Sequence, residues 1–192
     1  MARYRFAQAT AAATGAVLTL ISTQVSAGFA GTVTYGPAAG AAAVPAVGGY
    51  ALIALALLVG QAPDARAGFL RGLFGGAGHF ALTLHWIVEP FFVDAARHGW
   101  MAPFALVLFA FGLALFWAVA AWGTVRLVQA PLARIALFAP LLTLAEAARS
   151  TVLTGFPWAL PGHALIDTPW LVLSGWVGAH GMTFAVLVVA AL

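Results

Sequence analysis

Cysteine and lysine are both missing from these 192 residues, and all eight cations are arginine. Without cysteine there is no disulfide, no thiolate metal site and no thiol nucleophile. Without lysine there is no Schiff base and no lysine-assisted proton transfer. Charge of either sign is scarce: Asp, Glu, Lys and Arg make up 7% of the chain, against about 25% in a soluble domain. A chain this poor in charge cannot cover itself with a water-compatible surface. What is present in its place is apolar, with 64% hydrophobic residues. The chain is therefore read as an integral membrane protein. The net charge of +3 comes from 13 charged groups; they report topology and do not resemble a nucleic-acid footprint.

Apolar runs set out an all-α, polytopic transmembrane bundle of about six spans, the last cut by the end of the chain. Arg3 and Arg5 precede a weakly apolar stretch from Ala9 to Ala30. It can be read as a first span, or as a signal peptide with Val25-Ser26-Ala27 as cleavage site; the span is preferred because further spans follow. Tyr35-Gly36-Pro37 marks a turn. The second span is expected over Ala41–Ala62. A polar break at Gln61–Arg66 leads to a third span over Phe69–Val88, in which Gly72 and Gly76 form a small-xxx-small pair suited to close helix approach. Glu89-Pro90 is expected to end it, before a polar loop with Asp94, Arg97 and His98. Met101–Trp122 holds 22 residues without a formal charge, and about 20 are needed to cross the hydrocarbon core. A fifth span runs from Pro131 past Pro140 to about Leu153, and a sixth from Trp170 to Leu192.

With the N-terminus in the cytoplasm, Arg3, Arg5, Arg66, Arg71, Arg126 and Arg134 fall inside, and Arg97 and Arg149 outside. This distribution obeys the positive-inside bias. Glu89, Asp94, Glu146 and Asp167 then lie on or near the outer side.

One stretch departs from this pattern. Between Glu146 and His163, charge, aromatics, Pro157, Pro161, Gly155 and Gly162 fall within 18 residues. Neither proline fits inside a regular helix, and Trp158 suits a membrane–water boundary. An ordered loop at the outer membrane surface is expected, entered from a helix ending near Arg149–Leu153. Glu146 and Arg149 share a helix face. Ionisable groups at membrane depth are functional candidates, although a mutual ion pair closing the helix at the interface is an equal reading. His79, His85, His98, His163 and His180 show no metal-ligand spacing, so neither metal nor haem is expected. His98 and His163 read as interfacial loop groups, and His180 as hydrogen-bonded inside the bundle. No Ser-His-Asp set, nucleophile elbow or phosphate loop is legible. Most of the seven tryptophans lie near predicted span ends, as in an aromatic belt.

Glu146-x-x-Arg149-x-x-x-x-Thr154-Gly155-Phe156-Pro157-Trp158 resembles the apolipoprotein N-acyltransferase family of bacterial lipoprotein maturation. Phe69 to Ile87 is similar to that family's Gly-rich span, Gly162-His163 stands where it often has Gly-Tyr, and Gly175–Phe184 is similar to its next Gly-rich span. The resemblance covers about residues 50–192. It implies an inner-membrane bundle that carries a periplasmic nitrilase-like domain with a Glu-Lys-Cys triad. Such an enzyme takes an acyl chain from a phospholipid as a thioester and passes it to the amine of an apolipoprotein's diacylglyceryl-cysteine. With no Cys and no Lys, no catalytic residue is assigned here. Residues 1–192 are expected to be the N-terminal membrane domain, from a fragment or a truncated gene, inactive alone, in the inner membrane with loop 154–169 in the periplasm and with no cofactor. The residues proposed for lipid contact or domain docking are Glu146, Arg149, Thr154, Gly155, Phe156, Pro157, Trp158, Gly162 and His163. A small non-enzymatic membrane protein that binds lipid or a partner is the alternative. A transporter half is a third reading, disfavoured because the charges sit near span ends.

Overall fold

In the computed structural model, residues 43–152, 154–166 and 168–191 are described, with side chains from residue 51 onward. The expected first span at residues 9–30, the turn at 35–37 and Asp167 lie outside the described residues. The described part is helical, with no strand among the described residues. The described residues form six α-helices: α1 Ala43–Gly60, α2 Ala65–Thr83, the short α3 Ala95–His98, α4 Ala102–Leu127, α5 Pro131–Arg149 and α6 Ser174–Ala191. Tight 3₁₀ turns join them at His85–Phe92, Gly99–Met101, Pro161–Leu165 and Pro169–Leu173.

Among the described residues three helical stretches are long and apolar enough to cross a membrane: Ala95–Leu127, Pro131–Arg149 and Pro169–Ala191. The helices α1 and α2, of 18 and 19 residues, pack into the same bundle.

The third expected span needs correction at both ends. Asp64 caps the helix by accepting a 2.7 Å hydrogen bond from the Ala67 amide, so Arg66 lies in the first turn and not in a polar break. The helix stops at Thr83, and Glu89-Pro90 sits within a 3₁₀ segment. Pro90 has no amide hydrogen, and in an α-helix its ring would clash with the Trp86 carbonyl; the chain tightens to shorter-range bonds, such as Ile87 N–H to Leu84 O at 3.0 Å. Asp94, Arg97 and His98, expected in a loop, flank or form α3. The helix expected over Met101–Trp122 continues to Leu127.

The tightest seam is between α2 and α4, which run antiparallel. Gly68, Gly72 and Gly76 face Val125 and Ala121, Trp117 and Ala118, and Ala114 in turn. A methyl group at Gly72 would lie 2.6 Å from the Trp117 carbonyl oxygen and 2.9 Å from the Ala118 Cα. The small-xxx-small expectation is thus met by backbone-to-backbone packing. At one end of the bundle lie Arg66, Arg71, Arg126 and Arg134. There the Arg71 guanidinium donates to the Leu58 carbonyl, and Arg134 donates to Val128 O at 2.7 Å and Ala62 O at 2.8 Å. These arginines satisfy helix-end carbonyls that have no intrahelical partner. Near the other end, α6 is broken at Gly178, whose φ of 65° and ψ of −177° are not helical.

Candidate functional site

The site is built where α2, α4 and α5 meet below the loop that follows Arg149. Glu146 is 0% and Arg149 2% exposed. They are ion-paired within one turn of α5, as their spacing implies. The pair stands in the last turn of α5, as the simpler reading also had it, and it is buried inside the bundle. A buried ion pair is tolerated when its remaining donors and acceptors are satisfied, and here they are. Glu146 Oε1 accepts from the Trp117 indole N–H at 2.5 Å and from Arg149 Nε at 3.3 Å, while Oε2 accepts from Arg149 Nη2. The third arm of the guanidinium, Nη1, donates to the Phe156 carbonyl. The flat face of Arg149 covers the Phe80 ring, 4.9 Å from its centroid.

The same arginine closes the loop through its backbone. Its carbonyl accepts from the Phe156 amide at 3.1 Å. Phe156 is therefore held on both its N–H and its C=O by one residue, and its ring packs edge-on against Phe109 at 5.0 Å. Gly155 makes the reversal possible. Its φ is 73°, and a Cβ there would lie 2.3 Å from the Ser150 carbonyl oxygen.

Beyond Phe156 the chain first exposes Pro157 and Trp158 and then tucks into the bundle. Leu160, Pro161 and Gly162 are buried. Ala159 takes a φ of 60°, unusual for a residue with a Cβ. Its carbonyl is bonded at 2.9 Å to His79 Nε2, which must then carry the proton. His79 stacks on Trp117 at 4.9 Å and 25°. The loop thus returns to the indole that holds Glu146. These contacts cover the non-helical backbone with protein. Gly162 completes the seat. Its amide donates to Thr183 Oγ1 on α6 at 3.2 Å, and a Cβ would meet the Thr183 nitrogen at 2.6 Å.

The expected site residues divide into two groups. Glu146, Arg149, Gly155, Phe156 and Gly162 form the anchored part. Thr154, Pro157 and Trp158 are exposed, and Trp158 meets Trp86 edge-on at 5.9 Å. His163 is half-buried beside them. Burial first, and then the Arg149 charge, push its imidazole below the ordinary value, with Glu146 opposing. Sequence reading weighed His79 only as a metal or haem ligand and gave Trp117 and Phe80 no role at the site. Trp117 carried a signal: it lies deep within α4, far from either span end, where an indole N–H needs an acceptor. An aromatic belt, which accounts for most of the tryptophans, does not supply that acceptor. His180 also requires correction, since its Nδ1 is buried without a hydrogen-bond partner; the break at Gly178 interrupts the helix just before it. Among the described residues no group of three or more His, Asp or Glu side chains could hold a metal.

Helices that expose leucine, valine and phenylalanine outward and bury an ion pair and a polar-backbone loop inward define a polytopic membrane domain. Residues 27–192 match the family described as apolipoprotein N-acyltransferase N-terminal domain, and the chain belongs to that family. It is 45% identical over 126 residues to the apolipoprotein N-acyltransferase of Caulobacter vibrioides, covering 65% of this chain and 24% of that protein. The enzyme of the same name from Brucella melitensis is 40% identical over 122 residues, 62% of this chain and 23% of the relative. That of Rhodopseudomonas palustris is 35% identical over 145 residues, 72% and 27% respectively. The chain spans about a quarter of the length of the curated relatives it matches.

Proposed function

We propose that this bundle is the membrane domain of a lipoprotein N-acyltransferase, which moves an acyl chain from a phospholipid to the N-terminal amine of an apolipoprotein's diacylglyceryl-cysteine. The proposed setting is the bacterial inner membrane, with the arginine-rich end in the cytoplasm and loop 154–169 in the periplasm. The gathering of Arg66, Arg71, Arg126 and Arg134 at one end of the bundle supports that orientation. Donor and acceptor are both lipid-anchored, so a helical bundle lets them arrive laterally.

The observation that carries the reading is the double hold of Arg149 on Phe156. A loop anchored this firmly presents Thr154, Pro157 and Trp158 outward in a fixed pose. In the proposal this exposed rim seats a catalytic nitrilase-like domain and borders the lipid entry route, while the buried residues hold it in place. Bulk acyl transfer belongs to that catalytic domain, and this chain alone is inactive because it contains neither Cys nor Lys.

The test joins the chain to the catalytic portion of the Caulobacter relative and follows N-acylation of a diacyl-lipopeptide in proteoliposomes. Phe156→Ala and Trp158→Ala should each lower turnover; wild-type rates in both would overturn the role of the loop. The 192-residue chain by itself should form no hydroxylamine-sensitive acyl intermediate.

A further inference from the structure

The connection between α2 and α4, residues 84–101, meets the site residues through Trp86 against Trp158. It carries Trp86, Phe92, Val93, Trp100 and Met101 in the open, with Val93 91% and Trp100 68% exposed. Glu89, Asp94, Arg97 and His98 are interleaved with them and exposed as well. Aromatic rings mixed with both signs of charge suit a bilayer headgroup layer, where apolar bodies and polar tips are both accommodated. They suit a protein–protein contact poorly, because the centres of such contacts are depleted in charge.

Helix length gives the depth independently. The 26 residues of α4 extend about 39 Å, longer than the roughly 30 Å hydrocarbon core and close to the 40–45 Å of the whole bilayer. With Arg126 in the headgroups at one face, Trp100 falls in the headgroups at the other. The chain there consists of short helices and 3₁₀ turns, of which Ala95–Met101 continue the helical stretch that ends at Leu127.

We propose that residues 85–101 form a monotopic shelf lying in the outer headgroup layer, and that its occupant is the phospholipid interface. Through the Trp86–Trp158 contact the shelf also sets the depth of the loop. This rests on the membrane-embedded bundle and not on acyl transfer, so either can fail alone.

The absence of cysteine makes the test direct, because one introduced thiol is unique. Val93→Cys and Arg97→Cys, both at exposed positions, are spin-labelled and reconstituted in vesicles of phosphatidylethanolamine and phosphatidylglycerol. Collision with oxygen and with a water-soluble nickel chelate is then compared. The label at Val93 should collide with oxygen and be shielded from nickel by at least severalfold relative to the label at Arg97. Equal nickel access at both sites would place the shelf in water and overturn the proposal. Shielding of Val93 from both probes would mean protein covers it, a second copy or another domain, and would overturn it equally. Ala96→Cys provides a further position should either variant insert poorly.

Discussion

Replacing Glu146 by leucine should be among the most damaging single changes in the bundle. The substitution leaves Arg149, 2% exposed, without its counter-charge, and leaves the Trp117 N–H without its acceptor. Removing one partner of a buried ion pair costs about 3–5 kcal/mol. That is a factor of roughly 150 to 5,000 in the folding equilibrium, at 1.36 kcal/mol per decade. Arg149→Met should cost a similar amount, because it strands the carboxylate and frees the Phe156 carbonyl. The double variant tests the cause. With neither charge present, the desolvation penalty disappears, and the remaining losses are two unpaired neutral groups at about 1–3 kcal/mol each. The double variant should therefore cost clearly less than the sum of the two single variants, with a coupling energy of at least about 1.5 kcal/mol. The measurement is reversible unfolding in mixed micelles titrated with dodecyl sulfate and followed by helical circular dichroism. Single-variant costs below about 1 kcal/mol, or costs that simply add to within about 0.5 kcal/mol, would refute the view that the pair is buried and mutually dependent.

Trp117→Phe keeps the ring between His79 and Phe80 but removes the indole donor to Glu146, and should cost about 1.5–3 kcal/mol in the same assay. Gly155→Ala forces a side chain into a left-handed backbone and against the Ser150 carbonyl, and should cost at least about 1–2 kcal/mol and raise proteolysis within residues 150–163. Gly72→Leu should part α2 from α4 at Trp117 and lower stability by about 1–3 kcal/mol or more. His163 has a depressed folded-state value, so its neutral form is the one the fold accommodates. Its contribution is fully present above the ordinary histidine value near 6.5, and falls as pH drops below it toward the depressed value, because the unfolded chain takes the proton first. His163→Gln should flatten the stability profile between about pH 7 and pH 5.

The apolar runs made the helices legible. Pro131 and the break after Arg149 were visible as letters, and α5 begins and ends at those points. The Gly72–Gly76 pair foretold a close helix contact, because a missing Cβ has the same meaning in any partner's presence. The limits of α2 were less visible. Hydropathy counts a polar residue against a span, whereas Asp64 and Arg66 belong to the helix as its cap and first turn. The pairing of Glu146 with Arg149 followed from helical spacing; its depth did not, since depth depends on which face of α5 meets α4. The same holds for Trp117, His79 and Ala159. They lie 29 to 80 residues from their partners in the chain, and no local pattern connects them.

The arrangement around Arg149 has a consequence for biosynthesis. Its ionic partner is on the same helix one turn earlier, the ring beneath it is on α2, and the indole that completes the network is on α4. All three leave the ribosome before it does. Only Phe156, seven residues later, is still to come. The pair can therefore partition from the translocon into lipid as a neutral unit, and the loop can lock within a few residues of further synthesis. The anchored part of the site is complete once Thr183 on α6 has followed Gly162, so its maturation follows chain growth in step.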